Sequence, residues 1–302
     1  MTCIKRLVLI GFAGMAATLA PTQEDAQFEA EWQRMAELGR EHQTAWSLYL
    51  RLKEAANEPL PPAPIGQLPD WSGLWTHTRE GVAAAQTGSF FGPGPDGSRP
   101  KLTAAATAML EEGARRNAEA INYDENLSQC GPPGFPRWLS IPFLREFIVR
   151  PEQTWLSSET VNNVRRIYTD GRDHSPEVER YPLYYGDSIG FWDGEKLVVH
   201  TTQLMARAMG RNTLRQSDQM ETVEIWENVD EHTIRAHAWF YDPSILEEAW
   251  YIQRHYARVP NDDKSLRMRY WHCGENENNA VFQTDEGSTQ YADFTFTSED
   301  DR

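Results

Sequence analysis

Three stretches with the alternation of β-strands each carry a histidine among aromatic residues. In 233–241 one side of the alternation holds Thr233, Arg235, His237, Trp239 and Tyr241, and the other holds Ile234, Ala236, Ala238 and Phe240. In 248–258 Tyr251, Gln253 and His255 alternate with Trp250, Ile252 and Tyr256, and in 265–273 Leu266, Met268, Tyr270 and His272 alternate with Arg267, Arg269 and Trp271. Successive strand residues point to opposite faces, so each set shares one face. An imidazole titrates near neutral pH, and a carboxylate such as Glu221, Glu224, Asp170 or Asp242 can orient or charge-pair with one, which suits proton transfer. Glu221 shares a face with Val223, Ile225 and Glu227; the alternative is that all three glutamates of 221–227 are solvated. If the histidine face points into a closed sheet, it lines a pocket with a few convergent polar groups, where Arg235, Trp239, Tyr251 and Tyr270 would touch a ligand. If it points outward, it is an ordinary amphipathic surface. The inward reading is preferred, because Trp, Tyr and Met would otherwise form a large exposed apolar patch.

Two loops add polar groups. "RRIYTDGRDHSP", 165–176, ends a strand at a Thr-Asp-Gly turn and carries Asp170, Arg172 and His174 beyond it. It is either a solvated hairpin tip or a turn overhanging the mouth of a pocket. In "CGPPGFPRW", 130–138, proline and glycine fix the backbone before Arg137. The resulting expectation is that His174, His237, His255 or His272 exchanges a proton, Asp170 or Glu221 orients it, and Arg137 and Arg172 hold an anionic or carbonyl oxygen. The reaction would be an elimination, isomerisation, cyclisation or hydrolysis of a small hydrophobic or aromatic molecule. Three histidines on neighbouring strands would also suit a metal, but neither H-E-x-x-H nor C-x-x-C occurs, and strand histidines are more often hydrogen-bonded wall residues. Nucleophile-elbow, phosphate-loop and dinucleotide motifs are lacking too, so the sequence implies no cofactor.

The elements that must position these groups are mostly strands. They are expected near 71–77, 143–150, 153–158, 162–169, 187–193, 196–202, 219–228, 233–241, 248–258 and 265–273, separated by short turns. About eight to ten strands in an antiparallel meander most economically close as a barrel or curl as packed sheets. Residues 24–57 have helical spacing of Phe28, Trp32, Met35, Leu38 and Trp46 and predict one helix or two short ones. Residues 58–69 hold five prolines and predict an extended linker. An alanine-rich helix is expected at 102–120 within a β domain of 70–280, and an acidic tail at 281–302 has at most one strand, near 291–297.

The chain has 302 residues, 40% hydrophobic, which is enough for a sizeable core. Its 45 acidic against 29 basic residues give a formal charge of -16, which repels nucleic acid and anionic membrane surfaces. Lys5 and Arg6 before the apolar run Leu7–Ala20 read as a signal peptide over 1–20, too short to span a membrane comfortably, which predicts a periplasmic or secreted protein with no span after cleavage. Cys130 and Cys273 then remain, and in an exported chain they most simply form one disulfide, with two buried thiols as the alternative. Such a bridge closes a loop of about 140 residues and is worth on the order of 4–5 kcal/mol. The helical segment 24–57 offers a route to a homo-oligomer.

"DWSGLW", "CGPPGFPR", "RRIYTDGRDHSP", "GDSIGFWDGEKLVVHTT" and "CGENEN" together resemble a family of secreted bacterial proteins, mostly proteobacterial and without an assigned activity. The shared pattern includes C-x-P-P-G-x-P-R and R-x-I-Y-x-D-G-R-x-H and covers about 70–280. The resemblance implies a lipocalin-like β fold. This chain departs from it at Ser175, where the family usually has proline, at His200, where it usually has aspartate, and at His272. A lipocalin-like fold equally suits a carrier that binds a hydrophobic small molecule without changing it.

Overall fold

The computed structural model describes residues 23–56, 64–78, 93–119, 130–176, 180–209, 214–271, 281–283 and 289–291. Three helices are present among them: α1 (Gln23–Arg40), α2 (Ala45–Ala55) and α3 (Ala104–Ala118). The strands are β1 (Trp75–His77), β2 (Arg145–Val149), β3 (Gln153–Ser158), β4 (Asn163–Tyr168), β5 (Asp187–Asp193), β6 (Lys196–Thr202), β7 (Arg207–Ala208), β8 (Arg215–Gln216), β9 (Glu221–Asp230), β10 (Thr233–Tyr241), β11 (Trp250–Arg258), β12 (Val281–Gln283) and β13 (Thr289–Tyr291). Nine of them close a barrel in the order β1-β11-β10-β9-β6-β5-β4-β3-β2. Every neighbouring pair is antiparallel except β4 and β5, which meet in parallel at Tyr168 and Ile189. The protein is therefore the expected mainly β barrel with few helices.

Of the expected strands, the one at 265–273 does not form in its described part. β11 already pairs with β1, so closure leaves no free edge to extend. The chain instead ties across one end of the barrel, where Trp271 exchanges two hydrogen bonds with the Asn162 side chain and sets its ring edge-on to Phe143. His272, Cys273, the leader at 1–20 and most of the tail lie outside the described residues. The helical segment divides at Thr44, whose hydroxyl accepts from Ser47 N while Ser47 Oγ accepts from Thr44 N, a reciprocal cap that starts α2.

The lumen is filled. Trp226 of β9 packs against Tyr256, Phe147 and Trp138, with ring centroids 5.5–6.2 Å apart. Arg165 of β4 reaches across to Glu224 of β9, so the face shared by Thr222, Glu224 and Trp226 points inward. In register with it are Ile234, Ala236, Ala238 and Phe240 of β10 and Ile252 and Tyr256 of β11. The Pro/Gly segment 130–138 plugs the barrel: Phe135 lies 3.8 Å beneath the Arg165 guanidinium, and Leu139 O accepts from Tyr256 Oη. Arg145 donates to Trp138 O and Ile141 O. Glycine is required at 134, where φ is 68° and a Cβ would strike Arg207 and Tyr184 O.

This fixes the other face of β10 and β11. Arg235, His237, Trp239, Tyr241 and Tyr251 point out of the barrel, contrary to the inward reading, and α1 covers them. Trp239 Nε1 donates to Met35 O, Tyr241 Oη donates to Gly39 O, and Tyr251 packs on Trp32 at 4.6 Å. The large apolar patch that argued for an inward face is instead avoided by a helix lying on it.

Candidate functional site

The polar groups that meet beside open space lie outside the barrel, beneath α2. In β6 the inward residues are Leu197, Val199 and Thr201, so Val198, His200 and Thr202 face out. α2 lays Trp46 and Tyr49 over this face, with ring centroids 5.1 and 5.6 Å from His200. The β4 strand ends at Tyr168, and a turn at Asp170-Gly171, with Gly171 at φ 85°, sends 172–176 back across the sheet. That return brings His174 against His200.

The result is a row of four ionisable side chains. His174 Nδ1 lies 3.2 Å from Asp187 Oδ2, His174 Nε2 lies 2.7 Å from His200 Nδ1, and His200 Nε2 lies 3.6 Å from Glu221 Oε2. Ser175 N also donates to Asp187, and Thr202 Oγ1 donates to Glu221. The row fixes its own tautomers. Asp187 accepts only, so His174 carries its proton on Nδ1, and its Nε2 accepts from His200 Nδ1–H. His200 is left with a bare Nε2, which has no hydrogen-bond partner although the residue is only 2% exposed. Burial depresses the His200 pKa despite the opposing pull of Glu221. Burial pushes the Asp187 and Glu221 carboxyls up, but hydrogen bonds from His174 and Ser175 to Asp187, and at Glu221 the nearby His200 imidazole with a hydrogen bond from Thr202, outweigh it and hold both below their ordinary values. Tyr49 is pushed up by burial and by Asp173, so it stays a phenol.

A cleft of about 330 Å³ opens onto this row, lined by Trp46, Asp173, His174, Arg180, His200, Thr202 and Glu221. Chemically, His200 Nε2 is a base whose conjugate acid would sit between a second imidazole and a carboxylate. Among the described residues no group of three or more His, Cys, Asp or Glu is placed to hold a metal ion.

Of the residues singled out from sequence, His174 and Glu221 belong to this cleft. Asp170 and Arg172 pair with each other at 2.6 Å, half of a turn that closes on itself, and the carboxylate on His174 is Asp187 instead. His237, His255, Arg235, Trp239 and Tyr251 do come together, but beneath α1. His237 bonds Tyr251 Oη at 2.6 Å and Glu227 at 3.2 Å, Tyr251 donates to Gln253, and Gln253 Nε2 meets His255 Nε2 at 3.0 Å. Arg235 bridges Glu227 and Glu31. Burial lowers His237 and takes His255 down to about 4, so both imidazoles stay neutral, and the Arg235–Glu31 pair ties α1 to the barrel. Arg137 starts the short 3₁₀ helix 137–140 of the plug, and Tyr270 is 82% exposed. His200, Asp187 and Trp46 were not among the expected site residues. The signal for His200 was present: in "KLVVHTT" it is a histidine directly after the apolar run Leu197–Val199.

The fold and this cleft define a closed nine-stranded barrel with a packed lumen and an external, helix-covered imidazole–carboxylate site. No protein-family model matches the chain, and no curated protein matches it.

Proposed function

We propose that the protein is an enzyme of proton transfer, acting on a small hydrophobic or aromatic molecule in the cleft beneath α2. The observation that carries this is the buried, unpartnered Nε2 of His200, whose imidazole is held by the Asp187–His174 pair and forms part of the wall of a cleft shared with Trp46. His200 takes the proton from the substrate and Glu221 accepts a hydrogen bond from the imidazolium that forms. His174 shares the new charge, and Asp187 holds His174 in the required tautomer. Trp46 offers a flat apolar wall to a ring. Side chains alone suffice for such a step, which yields elimination, isomerisation or cyclisation according to the substrate, or hydrolysis when the proton comes from water.

The packed lumen speaks against the carrier alternative in its usual form, a ligand inside the barrel. Export belongs to the same proposal. The leader-like 1–20 and the resemblance over 70–280 to secreted bacterial proteins support it, and a Cys130–Cys273 bridge would be in keeping with it. A mass-spectrometric survey of aromatic and terpenoid compounds incubated with wild-type protein and His200→Gln tests the reaction. Conversion by the wild type, lost by about a hundredfold or more in the variant, is expected. Retention of a compound by both without conversion would replace the enzyme by a carrier.

A further inference from the structure

Glu221 lines the small cleft and a neighbouring one as well. On the other side of that residue a second cleft of about 480 Å³ runs along the α1–α2 turn and the chain after β10, and Glu221 lines both. Ala45 lines the larger cleft and Trp46 the smaller, so the two clefts adjoin at Glu221 and the first turn of α2. The two arms differ in chemistry. The smaller holds the aromatic wall of Trp46 and the buried, unpartnered His200 Nε2. The larger is walled by carboxylates: Glu221, Asp242, Glu247 and Glu248, against Arg40 and His42.

Several of these charges are already satisfied. Asp242 accepts from Ser217 N, Ser217 Oγ and Ser244 N, Glu248 pairs with Lys101 at 2.6 Å, and Arg40 pairs with Glu37 at 2.7 Å. Glu221 and Glu247 remain as acceptors without a permanent cation, in a chain whose formal charge is -16. An anion entering the larger arm would meet these carboxylates, whereas an ammonium group would be attracted by them.

We infer that the two adjoining clefts together bind a two-part ligand, an aromatic ring against Trp46 and His200 joined across Glu221 to a cationic amine lying in the larger arm near Glu221 and Glu247. The substrate class is thus an arylalkylamine. This rests on the reading of the smaller arm as the reacting site, and it adds the charge of the part that does not react. The ring meets Nε2 of His200 while the amine fixes its register, so binding energy remote from the reacting atoms positions it.

Isothermal titration at about pH 8, where an ordinary imidazole is neutral and a primary amine is charged, compares three probes on the full chain: tryptamine, N-acetyltryptamine and indole-3-propionate. Tryptamine is expected to bind about tenfold more tightly than its acetylated form, and the propionate least of all. Glu247→Gln, an exposed position whose loss leaves the fold intact, should narrow the gap between tryptamine and N-acetyltryptamine without changing the affinity of the neutral probe. Equal affinities, a preference for the propionate, or no binding of any probe overturns the inference. Titration reads binding alone. A charge preference without turnover of any compound would sink the catalytic reading and leave this one standing, and turnover of neutral compounds without a charge preference would do the reverse.

Discussion

Arg165→Met removes the cation that neutralises Glu224 inside the barrel. The guanidinium is 1% exposed, lies over the Phe135 ring, and donates to both oxygens of Glu224 at 2.7 Å as well as to Ser188 and Thr201. Methionine roughly matches its length but leaves Glu224, which is fully buried, with Thr222 Oγ1 at 3.2 Å, Trp226 Nε1 at 3.0 Å and Thr201 Oγ1 at 3.5 Å as its donors. A buried carboxylate stripped of its cation costs about 3–5 kcal/mol, a large part of the roughly 5–15 kcal/mol that holds an ordinary domain folded. Urea unfolding followed by tryptophan fluorescence should show a much lower midpoint with an unchanged slope. The double change Arg165→Met with Glu224→Gln removes both charges and keeps an acceptor for Trp226, so it should recover at least about half of the loss. A single variant within about 1 kcal/mol of wild type, or a double variant no better than the single one, would refute the packed lumen.

Gly39 lies where α1 crosses Trp239, and a Cβ there would strike the indole Cδ1 and come within 3.0 Å of Nε1. Gly39→Val should therefore cost about 1–3 kcal/mol and expose the α1–α2 connection to limited proteolysis, read by melting temperature and cleavage rate. Stability should also fall with acid in two stages. Burial lowers the folded-state values of His200, His237 and His255, so the unfolded chain binds more protons below about pH 6.5 and stability declines from there downward. Asp187, Glu221 and Glu227 are depressed in the fold, so their stabilisation is present above the ordinary carboxylate range and is lost as pH falls through their folded values. His255→Gln should remove the share of the first stage that lies between the ordinary histidine value and about 4, measured as unfolding free energy against pH.

Strand alternation made the barrel legible: 153–158, 187–193, 196–202 and 233–241 were read with the bounds they have. Alternation says which residues share a face but not which face is inside. That depends on what covers each face, and the cover comes from α1, which is remote in sequence from β10 and β11. The histidine face was therefore assigned to the lumen when it is the seat of a helix. The same limit hid the site. His174 was legible as a polar group on a turn, but its partners His200 and Asp187 belong to other strands, and Trp46 comes from a helix that precedes the barrel. Asp170 looked like the orienting carboxylate because it is near in sequence, yet a strong local Asp–Arg turn satisfies it first. The plug segment showed its rigidity in its prolines and glycines, and only the structure shows that it fills the barrel.

Proton abstraction by His200 Nε2 needs the imidazole neutral, and burial lowers its pKa. The most direct measurement is kcat/KM against pH for a converted compound, with wild-type protein and His200→Gln side by side. Activity of the wild type should rise with pH through a midpoint below about 6.5, and the variant should lose about 10²–10⁴ of it at the plateau together with that limb. A wild-type profile flat from about pH 4 to 7, or a variant that keeps its turnover, would contradict proton transfer at this site.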